Sequence, residues 1–414
     1  MSGPAPGSAP DIAGWGRQEQ RALAAVAAQF WINGMVYAAI VSRLPDLRDR
    51  LSIDVATLGL VLTIGAFGGL FGSALGGPAI ARFGTKRCII VATILTLATV
   101  PIVGLTRSVV VLTVALAALS MFDVVTDIGM NIQGSRLSGR RSKPVMNRLH
   151  GLWSLGTVIG GLVAVRASGA GLPLWAHMLA VSCLLAVTLA FTARLLLATD
   201  EPPDTASSDQ SPAASETAVT GDLDGSSGGS SPVSRLGLSL MLGSLAGAAV
   251  IMELTTSDWA AFRLADDLGV EPGRVALGFV AFTSGMVTGR FAGDSMQSLI
   301  GPEALVRVAA ALAAVGILLA TVVPAELVSE LGVSVITPTV VAIVGFYVAA
   351  LGVSVIFPQL YDRAARAPGP AGSGLAALTA GTRLAGLSAP LVVGLLADTS
   401  LSVGSAIALV TIPC

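Results

Sequence analysis

Charge is what this chain has little of. Only 12% of its 414 residues are Asp, Glu, Lys or Arg, about half the share that an average soluble domain carries. Histidines number two and cysteines three, Cys88, Cys183 and Cys414, at spacings that suit neither a metal site nor a disulfide framework. A net charge of −1 excludes the basic field that nucleic-acid binding needs. No nucleophile–base pair, ligand cluster or phosphate-cradling glycine loop stands out, so the sequence does not read as an enzyme and calls for no cofactor or metal. The first twenty residues lack a basic stretch followed by an apolar one, so no cleaved leader is expected. Lysine is the scarcest charge, with two against 22 arginines. That bias, with abundant Ala, Gly and Val, points to a GC-rich bacterial source.

Apolar residues fill the space that charge leaves. They make up 53% of the chain, the mean hydropathy is +0.80, and apolar runs of about 18 or more residues recur throughout, which is the pattern of membrane-spanning helices. Spans are expected near 21–43, 55–80, 87–106, 108–134, 146–168 and 173–197, then near 236–258, 275–297, 304–324, 336–361 and 372–398. A last apolar piece, 401–414, is shorter than the ~20 residues a crossing needs. Either the sequence is truncated or the twelfth helix is incomplete. Between the sixth and seventh spans, residues 199–234 hold seven acids and no Lys or Arg among Ser, Gly, Pro and Ala. Such a segment cannot bury enough apolar area to fold. The expected organisation is a disordered N-terminus at 1–20, a six-helix bundle at 21–198, a flexible linker at 199–234 and a second six-helix bundle at 235–414. With the N-terminus inside, sixteen of the 24 Lys and Arg fall on the inner side and seven on the outer. The N-terminus and the linker are therefore expected in the cytoplasm.

The fourth span carries the chemistry that the rest lack. Asp123, Asp127 and Asn131 stand four residues apart, so on a helix they form one polar stripe. An ionised carboxylate at mid-membrane costs ~2.5–3.5 kcal/mol on the insertion scale. Two of them imply a wet interior, unless they only mark the helix end at the headgroups. Glu253 lies inside the seventh span, whereas Asp258 and Trp259 are expected near its outer end, as a cap and a belt aromatic. In the first span, Asn33 offers hydrogen bonds, while Trp31 and Tyr37 face either a ligand or lipid. Gln359 follows the helix-breaking Pro358 in the tenth. Arg383, about eleven residues into an apolar span, either lines a central cavity or forms a structural ion pair at a helix interface. Sliding Gly156 onto Gly386 aligns Arg383 with Trp153, the other candidate cavity residue. Met35, Met121 and Met130 form a candidate adaptable apolar lining.

Two loops repeat. The one after the second span reads GGPAIARFGTKR, and after the eighth the chain reads GRFAGDSMQSLIG. Glycine-plus-charge turns at matching places suggest an internal repeat. The first resembles the signature of the major facilitator superfamily through Gly77, Arg82, Gly84, Lys86 and Arg87. The family's aspartate falls at Ala81, while Asp294 keeps it in the second loop. RLPDLRDRL, DIGMN, ELTTSDWAAF and FTSGMVTGRFAGD are further similar to the fucose-permease-like branch of bacterial sugar permeases. That resemblance implies an all-α fold of two pseudo-twofold six-helix halves in the inner membrane. It implies proton coupling through Asp127 ahead of Asp123, with Glu253 in reserve, because the branch's first-helix acid is Asn33 here. From the polar and aromatic residues along the spans, the solute is expected to be small and polar, such as a sugar, held by Asn33, Asn131, Gln359, Arg383, Trp31 and Trp153. The expected partners are a small solute, protons and the bilayer, with no nucleic acid, and the chain is expected to be a monomer. Drug or metabolite efflux, and a membrane sensor or scaffold that transports nothing, are the competing readings.

Overall fold

The computed structural model describes residues 16–139, 145–198, 232–322, 336–365 and 373–414. The expectations for 1–15, for the basic loop at 140–144, for most of the linker and for the side chain of Asp294 lie outside those residues. The described elements are α1 Arg17–Val41, α2 Leu44–Leu51, α3 Val55–Phe83, α4 Thr85–Leu105, α5 Val109–Gly139, α6 Met146–Gly169 and α7 Leu174–Thr192, followed by α8 Pro232–Phe262, α9 Pro272–Val275, α10 Leu277–Ile300, α11 Pro302–Thr321, α12 Ile336–Ala365, α13 Ser373–Ala397 and α14 Val403–Thr411. Eleven of the described helices are long and apolar enough to cross a membrane. Among the described residues there is no strand. The expected spans all appear. The main change is at the seventh, because α8 continues to Phe262 and then adds a π-helical turn, Arg263–Asp267. Asp258 and Trp259 are therefore interior residues and not an outer cap and belt. Trp259 is 1% exposed and packs on Phe262, with ring centroids 5.1 Å apart.

The sequence explains several boundaries. Asp54 caps α3 by accepting from the Thr57 amide at 2.6 Å, and that amide holds its carboxyl below the usual carboxylate range. Gly84 ends α3 with φ +81° and ψ 155°, and Gly301 ends α10 with φ +80° and ψ 161°. Only glycine adopts that region without strain. The repeated loops thus turn in one backbone conformation at matching places, a likeness that motif letters alone only hint at.

Small residues let helices meet. A side chain on Gly34 would strike the Trp153 carbonyl, and Cβ atoms on Gly156 and Gly160 would come within 2.8 Å of Trp31 O and Ala38 Cβ, so α1 and α6 pack backbone to backbone. The same crowding joins α3 to α13, where a Cβ on Gly394 would lie 2.9 Å from Val55 O. At Gly386, by contrast, a Cβ would meet Leu254 at an ordinary 3.7 Å.

The apolar cores differ between the two ends of the bundle. At the end bearing α2, one continuous core joins Met35, Val36, Leu58 and Val61 to Trp259, Phe262, Phe279 and Val393. Towards the other end the first six spans have their own core around Phe30, Ile89, Met130 and Leu149. The later spans there have a separate one around Leu242, Ala246, Leu360 and Leu378. The apolar cores of the two sets of helices are continuous at the α2 end and distinct at the other, where the sets still meet at Gly151 against Phe291 and at Arg383 with Ser73. The turn glycines give a direct stability test. Gly84→Ala and Gly301→Ala should each lower stability by about 1–3 kcal/mol, seen as a lower melting temperature in detergent. Gly16→Ala, with φ −60° and open space around it, should leave that temperature unchanged.

Candidate functional site

A cavity of about 290 Å³ lies beneath the joined core. Its lining comes from α1 (Asn33, Val36, Tyr37), α5 (Leu119, Asp123) and α6 (Trp153, Ser154, Thr157), facing α8 (Glu253, Leu254, Ser257) and α10 (Thr283, Met286, Arg290). Asn33 organises the first wall. Its Nδ2 donates to Asp123 Oδ1 at 2.5 Å, and its Oδ1 accepts from Trp153 Nε1 at 2.7 Å. The close α1–α6 packing at Gly34 sets that reach. The amide therefore orients a carboxylate and an indole at once, and keeps the carboxylate at a defined place in a poorly hydrated space.

The second wall carries a charge pair. Arg290 Nη2 lies 3.3 Å from Glu253 Oε1, with the two side chains 34% and 28% exposed. Its Nη1 donates to Ser154 Oγ at 3.0 Å, across the interface between the two sets of helices. Nearer the α2 end, Tyr37 Oη donates to Asp258 Oδ1 at 2.6 Å, again across the interface, and Ser257 Oγ donates to the same oxygen at 2.8 Å.

Of the residues singled out from the sequence, Asn33, Asp123, Trp153 and Glu253 meet at this cavity, and Tyr37 joins them. The others stand apart from it. Asp127 is exposed one turn along α5, and Asn131 Nδ2 donates to its Oδ1 at 2.9 Å. Gln359 donates to Gln297 at 2.7 Å between α12 and α10. Arg383 Nη2 donates to Ser73 Oγ at 3.3 Å at the α13–α3 interface. Trp31 packs against the joined core. Met35 and Met130 are 3% and 1% exposed within cores, so they line nothing. At the first repeated loop, the Arg82 guanidinium sits over the Phe83 ring at 5.5 Å, and Lys86 donates to the carbonyls of Arg194 and Leu196 at 3.0 and 3.2 Å. Gly77 is half-buried and Arg87 exposed there.

Arg290 is what sequence reading missed. It stands more than two turns before the end of α10, where a cation needs a partner. Its distance from the helix end was the available signal. Among the described residues, no group of three or more His, Cys, Asp or Glu side chains is placed to hold a metal ion.

Among the described residues, eleven apolar spans surround a central cavity lined by both sets of helices, the architecture of a polytopic membrane carrier. The Major Facilitator Superfamily model matches residues 26–390, and the chain belongs to that family. It is a multi-pass membrane protein of a family of transporters, which are not enzymes. An uncharacterized transporter, y4wD, of Sinorhizobium fredii is 27% identical over 376 residues, 91% of each chain. Membrane protein MosC of Rhizobium meliloti is 26% identical over 343 residues, covering 83% of this chain and 75% of that one. In solved structures, the fold is similar to nucleoside transporter NupG, with a TM-score of 0.66, 12% identity, and 96% and 95% of the two chains covered. It is also similar to a bacterial homologue of the human lysosomal transporter Spinster in an inward-facing, unoccupied conformation. That match has a TM-score of 0.63 and 15% identity, and covers 93% of this chain and 83% of that one.

The charge pair predicts non-additive energetics. Arg290→Leu leaves Glu253 without its cation and should cost about 1–2 kcal/mol, between the values for exposed and buried pairs. Glu253→Leu in the same chain should restore part of that loss. A double-mutant cycle on melting temperatures checks it, and strictly additive shifts would contradict the pairing.

Proposed function

We propose that the chain is a secondary active transporter that moves a small polar solute across the cell membrane by alternating access, with Asp123 as the residue that carries the coupling proton. The observation that supports this best is the position of Asp123. It lies in a cavity between the two sets of helices, held by the neutral Asn33 amide. A carboxylate so placed has two low-cost states, ionised when water reaches it and protonated when it is occluded, so its charge follows the conformation. Proton coupling then needs no first-helix acid, because Asn33 positions the fourth-helix one.

Alternating access is the rocking of two helix bundles, 21–198 and 235–414, about that site, with 199–234 as a tether. The Lys and Arg count puts the α2 end outside. On that orientation the welded core closes the outer side and the split cores leave the inner side free to part. The cavity is at the small end of the ~300–1,000 Å³ range of ligand sites. Its hydrogen-bonding groups beside Trp153 and Tyr37 suit the ring face and hydroxyls of a sugar. The Asp127–Asn131 pair, which carries the likeness to the fucose-permease branch, sits one turn away as a relay between Asp123 and the inner side. Nucleosides, the solute named for NupG, share the same combination of ring and hydroxyls. Efflux of apolar compounds has one observation in its favour, the lining by Val36, Leu119, Leu254 and Met286.

The test is thermal stability of the purified protein against sugars, nucleosides and lipophilic cations. A ligand at a hundred times its Kd adds about 2.7 kcal/mol. A shift with one polar class, together with proton-driven uptake of that compound that Asp123→Asn abolishes, supports the proposal. Asp127→Asn should slow uptake and leave the shift in place. A shift with lipophilic cations alone, or uptake unchanged in Asp123→Asn, would overturn it.

A further inference from the structure

Between the cavity and the α2 end, the two sets of helices are joined by more than apolar packing. Among the described residues, Ser168 Oγ of α6 donates to the Pro272 carbonyl of α9 at 3.1 Å, and carboxylates of the later spans are bound from the earlier ones at two further levels. The outer level is Arg48 of α2, which pairs through both terminal nitrogens with the Asp266 carboxylate, the Nη2–Oδ1 contact being 2.9 Å. Its guanidinium also lies 5.3 Å from the centre of the Phe262 ring. Asp266 belongs to the π-helical turn, which is anchored in its own half. There Asp267 accepts from Arg263 at 2.8 Å and from the Val403 and Gly404 amides at 3.1 and 2.7 Å, at the start of α14. The inner level is Tyr37–Asp258, about two turns closer to the cavity along α8.

Tyr37 differs from every other residue in these levels, because it is also part of the cavity wall. Its ring centre is 6.0 Å from that of Trp153, whose indole N–H holds Asn33, which holds Asp123. On its other side the ring is 6.0 Å from Phe279, a fully buried member of the joined core. A solute seated against Trp153 and Asn33 therefore touches the ring whose hydroxyl binds Asp258. We infer that Tyr37 couples the solute cavity to the gate at the α2 end, its ring sensing the cavity and its hydroxyl bolting Asp258 across the interface. Opening that end breaks the Tyr37–Asp258 bond together with Arg48–Asp266. The inference rests on the alternating-access reading, but its test needs no solute, so the two can fail separately.

Tyr37→Phe keeps the ring and removes the bolt, and Asp258→Asn weakens the bolt from the other side. Each is placed in a full-length chain with its three cysteines replaced by alanine and with Leu119→Cys as a reporter in the cavity wall. The reporter is labelled with a membrane-impermeant trimethylammonium methanethiosulfonate, added to sealed vesicles at the face bearing residues 43–54. Loss of one hydrogen bond to a carboxylate predicts labelling roughly tenfold faster than in the parent for each variant. The combined variant should be no faster than the faster single one, because both remove the same bond. Labelling from the opposite face of inverted vesicles, equal in all variants, shows that the chains are folded. If Tyr37→Phe does not assemble, Asp258→Asn alone carries the test. Rates within twofold of the parent in both variants, or multiplying rates in the combined one, would overturn the inference. A reporter silent from both faces in every variant would remove the cavity as a solute path, and the gate with it.

Discussion

One apolar core holds the molecule in its present form. Trp259, Phe262 and Phe279 from the later spans interlock with Met35, Val36 and Leu58 from the earlier ones, at the end where α3 and α13 touch backbone to backbone through Gly59 and Gly394. At the other end, each set of helices has its own core. Burial is the same kind of force at both ends, but only at one does a continuous core run between the two sets. Everything polar in the middle inherits that asymmetry. The cavity is roofed by aromatic side chains, and the charged groups around it are held by side chains from both walls.

Placing charge in such a roof has a physical logic. In a space this poor in water, each ionisable group either finds a partner or changes its charge. Glu253 has Arg290, and Arg48 has Asp266. Asp123 is held by a neutral amide and Asp258 by two hydroxyls. The interior thus divides into paired charges and hydroxyl- or amide-bound carboxylates, and the proposed proton coupling draws on the second kind.

Much of the architecture was legible in the sequence, because apolar runs and loop glycines leave strong local marks. The eleven spans, the polar stripe on α5 and the twin turns at Gly84 and Gly301 are all readable from residue type and spacing. Depth was not. Asp123 and Asp127 share a face at a four-residue spacing, and nothing in that spacing says which one reaches the cavity. Asp258 and Trp259 were read as a surface cap and belt because the π-helical turn that extends α8 has no sequence mark. Partners across the fold were equally invisible. Periodicity shows which way a side chain points but not what it meets, so Arg383 kept two readings and Gln359 was taken for a ligand contact when it meets Gln297. Arg290 was hidden by its place in GRFAGDSMQSLIG, where a cation reads as part of the repeated loop.

The central claim is that the two ends of the bundle open in opposite senses. Pulsed electron-spin distance measurements test it most directly, with labels at Ser52 and Glu271 for the α2 end and at Arg87 and Glu303 for the other, all exposed positions. Charge reversal at Asp266 should lengthen the first distance and shorten the second within one population of molecules. If both distances stay fixed, or lengthen together, the two sets of helices do not rock about the cavity and the account fails.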